Sequence, residues 1–510
     1  MPQLVIVSDQ GRKAHPFTAP APLAELLAAH GMHIAQPCGG LGRCGKCRVQ
    51  ASGSLVPAPG PESCLACQTT ATGDVTVIMQ KPANERVITH GERPLLALDP
   101  WEKGLGVAVD IGTTTVAAYL YDLQTGALIR CDSANNPQNA FGADVITRMA
   151  KAEAGQAEAL REAITGCVAG LIASLRGDRE VRCAVIAGNT AMLYLLCGHS
   201  PSSLLRAPFA MDRGFGCWAD PLPFGLAADA RVYLPHCIAA YLGADITAAL
   251  LASGLFAGGK VAAGPPVMLV DIGTNGEIVL RAGGKLYACA TAAGPAFEGA
   301  GISQGMTARD GAIVHIVNNG KWKVESGKRE GGADDWALEV IGGGPAVGIC
   351  GSGIVDALAS MLETGALDET GALADGGPYR IPGTVVEITQ ADVRAVQLAK
   401  AAIHAGMLTL IREAGLTPDQ IETLLIAGGF GSCIDPASAE RIGLIPPGFA
   451  AKARAIGNAA GMGASMALLS TSALEDTKTA SSSIQIVELA SNAVFMASYI
   501  ECMTFELSEK

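Results

Sequence analysis

The chain has 510 residues, 49% of them apolar and only 16% charged, enough for a large core and two or three domains. A formal charge of −12, from 36 basic and 48 acidic residues, argues against a nucleic-acid partner, whose backbone calls for a basic surface. Glycine is abundant (63) and aromatic residues are few (5%), the composition of an α/β protein with many tight strand-to-helix turns.

In chain order, residues 4–7 read as a strand, and Leu23, Leu26 and Leu27 form a helical stripe ending near Gly31. A cysteine-rich loop follows, and residues 75–78 close the first unit as a strand. Residues 1–82 thus suit a small β-grasp unit. Residues 83–103, with Pro94 and Pro100, read as a linker spanning roughly 25 Å if flexible. From 104 to 510, strands alternate with helices. Residues 105–121 form a strand pair, 144–175 a helix and 181–187 a strand. Residues 268–280 repeat the first strand pair, 354–362 and 396–414 are helical, and 424–427 is a strand ending in glycines. Residues 471–483 are small and polar and read as a surface loop. The apolar 484–507 segment is expected to dock back onto the body. The N-terminus lacks the pattern of a secretory signal. The longest charge-free stretch, 183–205, carries Gly188-Asn189-Thr190 and Pro201-Ser202-Ser203, so a strand, a polar turn and a helix fit it better than a membrane span. The expectation is a cytoplasmic protein with no membrane partner.

Five of the fifteen cysteines fall between Cys38 and Cys67, and the other ten are scattered as buried thiols usually are. Cys38, Cys44 and Cys47 lie in Cys-Gly-Gly-Leu-Gly-Arg-Cys-Gly-Lys-Cys, and Cys67 in Leu-Ala-Cys-Gln. Glycines 39, 40, 42 and 45 let the backbone approach a cluster and turn N–H groups toward its sulfurs. The C-x5-C-x2-C spacing is one residue longer than the plant-type loop and reads as a [2Fe-2S] cluster site. Structural zinc is the rival, because Cys44/Cys47 and Cys64/Cys67 are two C-x2-C pairs. That reading leaves Cys38 and the glycine-rich loop without a task. Cys64 stays open as a substitute for Cys67.

Val109-Asp110-Ile111-Gly112-Thr113 returns as Val270-Asp271-Ile272-Gly273-Thr274, about 160 residues on, which suggests an internal duplication. Either turn alone is an ordinary strand connection. Two matched copies followed by Gly428-Gly429-Phe430-Gly431 point to an actin-like ATPase. Gly112, Thr113, Thr114 and Thr115 from the first turn would hold ATP phosphates, with Gly273, Thr274, Asn275, Gly276 and Glu277 from the second. Asp110 or Asp271 would hold Mg2+ through water, or orient the attacking water, and Gly428, Gly429 and Gly431 would admit the nucleoside. Cys350-Gly351-Ser352-Gly353 reads equally as a nucleotide-facing loop or a plain helix start. Glu298 reads equally as a functional or an exposed carboxylate. The eight histidines show no ligand spacing.

Together these residues resemble the reductive activators of corrinoid-dependent methyltransferases. The ordered set includes 38–47, 109–115, Asn-Pro-Gln-Asn-Ala-Phe-Gly-Ala-Asp-Val-Ile-Thr-Arg (136–148), Gly-Asn-Thr-Ala-Met (188–192) and Ile-Ala-Ala-Tyr-Leu-Gly-Ala-Asp (238–245). It continues through 270–277, Ala-Gly-Pro-Ala-Phe-Glu-Gly (293–299), 349–357 and 426–431. The resemblance covers nearly the whole chain. It implies a β-grasp [2Fe-2S] ferredoxin-like domain ahead of a two-lobed actin/Hsp70/sugar-kinase-like (ASKHA) ATPase body. It also selects Cys67 as fourth cluster ligand. The implied activity is ATP-dependent one-electron reduction of a corrinoid protein from Co(II) to Co(I). The partners would be that corrinoid protein, from a methyltransferase system, and an external low-potential electron donor. Two departures are a short Cys47-to-Cys67 interval and a compact linker where some relatives carry an extra domain.

Two other readings stand beside it. One is an ATP-driven activator of a different low-potential acceptor, of dehydratase or reductase type; such proteins usually hold a [4Fe-4S] cluster between subunits. The other is an actin-like kinase with a redox-sensing ferredoxin domain, for which no catalytic base stands out. Oligomeric state stays open, a homodimer being one option.

Overall fold

A computed structural model describes residues 1–8, 11–30, 32, 34, 40, 42, 47–58, 63–79, 96–318 and 336–506. Cys38, Cys44 and most of the expected linker lie outside the described residues.

The N-terminal sheet is built on strand Gln3–Ser8, whose Leu4 and Ile6 alternate inward. It runs parallel to Thr70–Ile78, which buries Ala71, Val75 and Val77. Gly11–Pro16 flanks the first strand and Arg48–Val56 the second, both antiparallel. Helix Leu23–Ala28 lays Leu23, Leu26 and Leu27 across one face. The architecture is a β-grasp, as expected.

The body carries two six-stranded sheets that share the same five-strand topology and differ in the sixth: Phe215–Ala219 lies antiparallel on Arg231–His236 in the first, and Ile484–Ile486 lies parallel on Lys285–Thr291 in the second. In the first lobe, the antiparallel strands Leu105–Ile111, Thr115–Asp122 and Leu128–Asn135 are joined on the Leu105–Ile111 side by parallel strands Val181–Gly188 and Arg231–His236. In the second, Val267–Ile272, Gly276–Ala282 and Lys285–Thr291 are joined in the same way by Thr423–Ala427 and Ala453–Gly457. Each Asp-Ile-Gly-Thr therefore closes the first strand of a meander, an interior strand of its sheet, at the same end. The parallel strands are buried on both faces, so they read as continuous apolar runs rather than alternating ones.

Helix Ala244–Ala252 of the first lobe and helix Ala459–Leu469, entered from the second sheet, pack against each other. Gly463 permits this: a Cβ there would fall 1.9 Å from the Ala248 carbonyl oxygen. Through this pair the first lobe's core runs on into Leu269, Val279 and Leu425 of the second sheet.

Three local expectations need adjustment. Residues 471–482 form a helix rather than a loop: Ser470 caps it, and a narrow stripe of Ala473, Leu474, Thr477 and Ala480 is buried along one face. The helix expected over 144–175 is two, Val145–Lys151 and Ala157–Arg176, split by a wide turn where Gly155 adopts φ +93°. The charge-free 183–205 stretch holds the end of a strand, the Asn189 cap and helix Thr190–Cys197. Among the described residues no helix is long and apolar enough to cross a membrane. The C-terminal segment docks as anticipated. Ile484–Ile486 extends the second sheet, and helix Ala493–Glu501 lies on helix Gln390–Glu413.

Candidate functional site

The two Asp-Ile-Gly-Thr turns face one another across a cavity of about 520 Å³ between the lobes, within the usual range for small-molecule sites. Each turn is closed by its own backbone. Gly112 N–H donates to the Thr115 carbonyl at 2.9 Å, and Gly273 N–H to that of Asn275 at 3.0 Å. The first lobe contributes Asp110, Gly112, Thr113, Thr114, Thr115, Asn189 and Asp245. The second contributes Asp271, Gly273, Thr274, Asn275, Glu277, Glu298, Gly428 and Gly429. Gly428 is at φ +89°, and a Cβ there would sit 2.6 Å from Asp271 Oδ1, so the close approach needs glycine.

Two residues of the expected set do not line the cavity. Gly276 packs where a Cβ would meet Ile403 Cγ1 at 2.9 Å, and Gly431 where it would meet Ile426 Cγ2 at 2.6 Å. Both serve close packing of the strand and turn behind the site.

Five carboxylates converge here. Burial raises Asp110 to about 6, opposed by a hydrogen bond from Asn458. Burial, then the charges of Asp110 and Glu298, raise Asp271 to about 7. Asp245 rises to about 7, also chiefly from burial, with the Ile246 amide opposing and the Asp110 and Asp271 charges adding. Glu277 and Glu298 are raised for the same first reason. Such a group of carboxylates favours a cation among them. Among the described residues no three His, Cys, Asp or Glu side chains are close enough to form a complete metal cage.

The sequence reading missed four polar residues of this site. Asn189 caps helix Thr190–Cys197 and reaches Glu277 Oε1 across the lobes at 3.4 Å. Asn458 caps helix Ala459–Leu469 and donates to Asp110. Asp245 opens helix Ala244–Ala252. Arg148 is fully buried behind the first turn, donating to the Thr113 carbonyl at 2.6 Å and the Gly142 carbonyl at 2.9 Å. Arg148, Asn189 and Asp245 lie in the segments that carry the resemblance. For Asn458 the available signal is a Gly-Asn step before an apolar helix.

The far end of the cavity is apolar, with Met306, Val314, Ile341 and Cys350 packed together. Phe297 and Phe430 stack beside it, ring centroids 5.1 Å apart and planes within 15°. Gly351 and Ser352 line the cavity at the start of helix Gly351–Thr364, so that loop does approach the site.

In the N-terminal unit, Cys47 and Cys67 bring their sulfurs to 3.2 Å, and Ala66 N–H donates to the Cys47 carbonyl at 2.9 Å. Gln68 Nε2 donates to the Gly40 carbonyl at 2.6 Å, tying the cysteine loop to the Cys67 turn. Gly42 at φ +73° leaves room for that side chain, since a Cβ would fall 2.9 Å from Gln68 Cγ. Cys64 instead pairs in register with Val49 and is buried in the apolar core of the sheet. Converging thiols beside a glycine-rich loop fit a thiolate-held cluster.

Residues 266–509 match the family profile described as the C-terminal domain of RACo, the ASKHA domain, and residues 105–257 match the RACo middle region. The chain is 34% identical over 456 residues to the corrinoid activation enzyme RamQ of Eubacterium limosum, across 81% of this chain and 73% of that one. It is 32% identical over 258 residues to the Co(II) methylated amine-specific corrinoid protein reductase of Methanosarcina barkeri, across 49% of this chain and 46% of that protein. Among solved structures, a reductive activator for corrinoid, iron-sulfur protein superposes with a TM-score of 0.68 at 26% identity, over 98% of both chains.

Proposed function

The chain belongs to the RACo family of corrinoid activators, and from that premise we propose that it is an ATP-hydrolysing activase that returns a corrinoid protein from Co(II) to Co(I). The observation that carries this reading is the pairing of two matched phosphate turns around one cavity, in a chain that also brings Cys47 and Cys67 together.

The division of labour follows from the site. The hydroxyls of Thr113, Thr114, Thr115 and Thr274, with the backbone N–H groups of both turns, hold the ATP phosphates. Asp110 or Asp271 would hold Mg2+, and the other carboxylate of the pair would orient the attacking water. Phe430 and the apolar end around Ile341 receive the nucleoside. Cys38, Cys44, Cys47 and Cys67 hold a [2Fe-2S] cluster, which supplies one-electron capacity when bound. Residues 1–82 form the electron-carrying unit, 83–103 the linker and 104–510 the ATPase body. The donor is an external low-potential reductant, the partner belongs to a methyltransferase system, and the setting is cytoplasmic.

ATP is needed because Co(II) is hard to reduce, and each ~59 mV of uphill one-electron gap costs a factor of ten. Closure of the lobes on nucleotide supplies the difference by changing affinity for, or coordination in, the corrinoid partner. The test is anaerobic spectroscopy of a Co(II) corrinoid protein with this chain and a low-potential reductant, with and without MgATP. Co(I) that appears only with MgATP supports the activase. Equal reduction without ATP reduces the chain to an electron shuttle. No Co(I) with several corrinoid partners, despite ATP hydrolysis, points to another acceptor.

A further inference from the structure

The apolar end of the cavity carries a histidine beside its hydrophobic cluster. His315 lies on strand Ala312–Asn318, which runs antiparallel to Trp336–Val340. Successive side chains of a regular strand point to opposite faces, yet Val314 and His315 both line the cavity. The register slips between Ile313 and His315, and this bulge turns the two neighbours to one side. Glu339, directly opposite His315 in the register, lines the cavity too.

His315 is held from behind. Asp356 of helix Gly351–Thr364 is 2% exposed, and its Oδ2 lies 3.0 Å from His315 Nδ1 while accepting the Ile316 N–H at 3.2 Å. A carboxylate oxygen accepts, so Nδ1 donates and Nε2 is the nitrogen left for a ligand. The bond to Asp356 raises the imidazole pKa above its ordinary 6.5, desolvation opposes this, and the charges of Asp356, Glu339 and Asp435 add to it. That balance favours an Nε2 that donates. Two polar neighbours are committed to the strand itself: Ser352 Oγ donates to the Val314 carbonyl at 2.8 Å, and Cys350 Sγ to that of Ile313 at 3.2 Å.

We propose that His315 and Glu339 select adenine as the base of the bound nucleotide: His315 Nε2 donates to a ring nitrogen, Glu339 accepts from the amino group beside it, and Asp356 is a positioning residue acting through His315. Side chains directly opposite across two strands stand about 5 Å apart at Cβ, so both can reach one base. Adenine sets N7 beside an amino donor, whereas guanine sets N7 beside a carbonyl oxygen. A donor next to a carboxylate matches the first and opposes the second. The inference rests on the nucleotide reading of this cavity and adds the residues that choose the base.

A good two-point contact with a base discriminates about 5- to 150-fold, so the wild type should prefer MgATP to MgGTP by a factor in that range. His315→Ala should lose at least about fivefold in MgATP affinity and bind magnesium tripolyphosphate, which has no base, as the parent does. Glu339→Gln, whose amide also donates, should gain affinity for MgGTP and narrow the preference. Asp356→Asn should weaken MgATP and spare tripolyphosphate. A merely structural role would weaken both ligands together and lower the unfolding temperature.

The experiment is calorimetric titration of the full chain and the three variants with MgATP, MgGTP and magnesium tripolyphosphate, with the fold checked by circular dichroism. If Asp356→Asn does not fold, the other two variants, at half-exposed and exposed positions, decide alone. A loss of MgATP affinity in His315→Ala that tripolyphosphate does not share, with a narrowed preference in Glu339→Gln, supports the proposal. Equal wild-type affinity for MgATP and MgGTP, an unchanged preference in Glu339→Gln, or a His315→Ala variant that keeps MgATP or weakens both ligands alike overturns it and leaves the nucleotide site standing. A wild-type chain that binds neither nucleotide overturns the nucleotide reading and this proposal together.

Discussion

Asn458 Nδ2 donates to Asp110 Oδ2 at 2.9 Å, joining residues 348 positions apart. The same side chain turns its Oδ1 to the Gly461 N–H at 2.7 Å, capping helix Ala459–Leu469. The start of that helix therefore fixes the carboxylate at the end of the first-lobe meander. Asn458→Ala removes both bonds. Loss of the cap should cost roughly 1 kcal/mol of stability. The buried carboxylate left without its donor costs about 1–3 kcal/mol, which lowers kcat/KM for MgATP hydrolysis about 5- to 150-fold if Asp110 acts in the transition state. Asn458→Asp retains the cap but sets a like charge beside Asp110. It should keep near-normal unfolding behaviour and lose at least as much activity. Steady-state hydrolysis and thermal unfolding of both variants separate the two effects, and full activity in Asn458→Asp would rule out this role.

The cysteines divide by partner. Cys67 faces Cys47 at 3.2 Å, whereas Cys64 stands opposite Val49 in the sheet register. Cys67→Ser and Cys47→Ser should abolish iron binding or reduce it severely. Cys64→Ser should retain iron with the visible spectrum of the parent. Iron content and electron paramagnetic resonance after reduction decide it. Iron retained in Cys67→Ser but lost in Cys64→Ser would reverse the ligand assignment.

What the sequence reveals here depends on how local each feature is. The Asp110–Thr115 and Asp271–Glu277 turns are legible because contiguous residues build each one, and the chain writes the pattern twice. Arg148 is not, because one arginine on a helix looks like a surface charge. It is buried because the carbonyls of Thr113 and Gly142 converge on it in three dimensions. Asn458 is invisible for a related reason: a helix cap is an ordinary feature until folding brings it against Asp110. The helix over 471–482 was hidden by small polar residues, its apolar stripe being narrow enough to pass for a loop. Gly276 and Gly431 sit beside the nucleotide turns in sequence, yet a Cβ at either would meet Ile403 or Ile426 in the packing behind the site.

Gly351 tests whether the helix start belongs to the site. A Cβ there would lie 1.9 Å from the Phe297 carbonyl oxygen and 2.7 Å from Phe430 Cδ2. Neither atom can withdraw without disturbing the stacked rings. Gly351→Ala should cost about 1–3 kcal/mol through overpacking and shift Phe430 against the nucleotide. ATP affinity should fall about 5- to 100-fold. Gly166→Ala is the control: that glycine lies in helix Ala157–Arg176 with nothing within 4 Å, so alanine should be neutral or stabilising by up to roughly 1 kcal/mol. Titration with ATP beside thermal unfolding provides the check. Wild-type affinity in Gly351→Ala would detach the helix start from the site.

The buried carboxylates set a pH dependence with a definite sign. Asp110 at about 6, and Asp245 and Asp271 at about 7, lie well above the ordinary 3.8 that these groups show when solvated. A carboxyl whose pKa is raised in the fold holds its proton more tightly there than in the unfolded chain. Its contribution is complete below the unfolded value near 4 and is lost as pH rises through the folded value. The unfolding temperature measured without nucleotide should therefore fall between pH 5 and 8. Carboxylates with lowered values, such as Asp122 and Asp368, titrate below this window and do not interfere. Asp271→Asn removes one of the three, so its unfolding temperature should fall less steeply and exceed that of the parent at pH 8, while hydrolysis is lost. MgATP should act oppositely, because ionised carboxylates are what a cation requires, and its stabilising increment should widen from pH 5.5 to 8. Differential scanning fluorimetry across that range, with and without MgATP, reads both trends. A flat profile for the parent, or an Asp271→Asn slope as steep as the parent's, would show that these carboxylates do not titrate as their surroundings dictate.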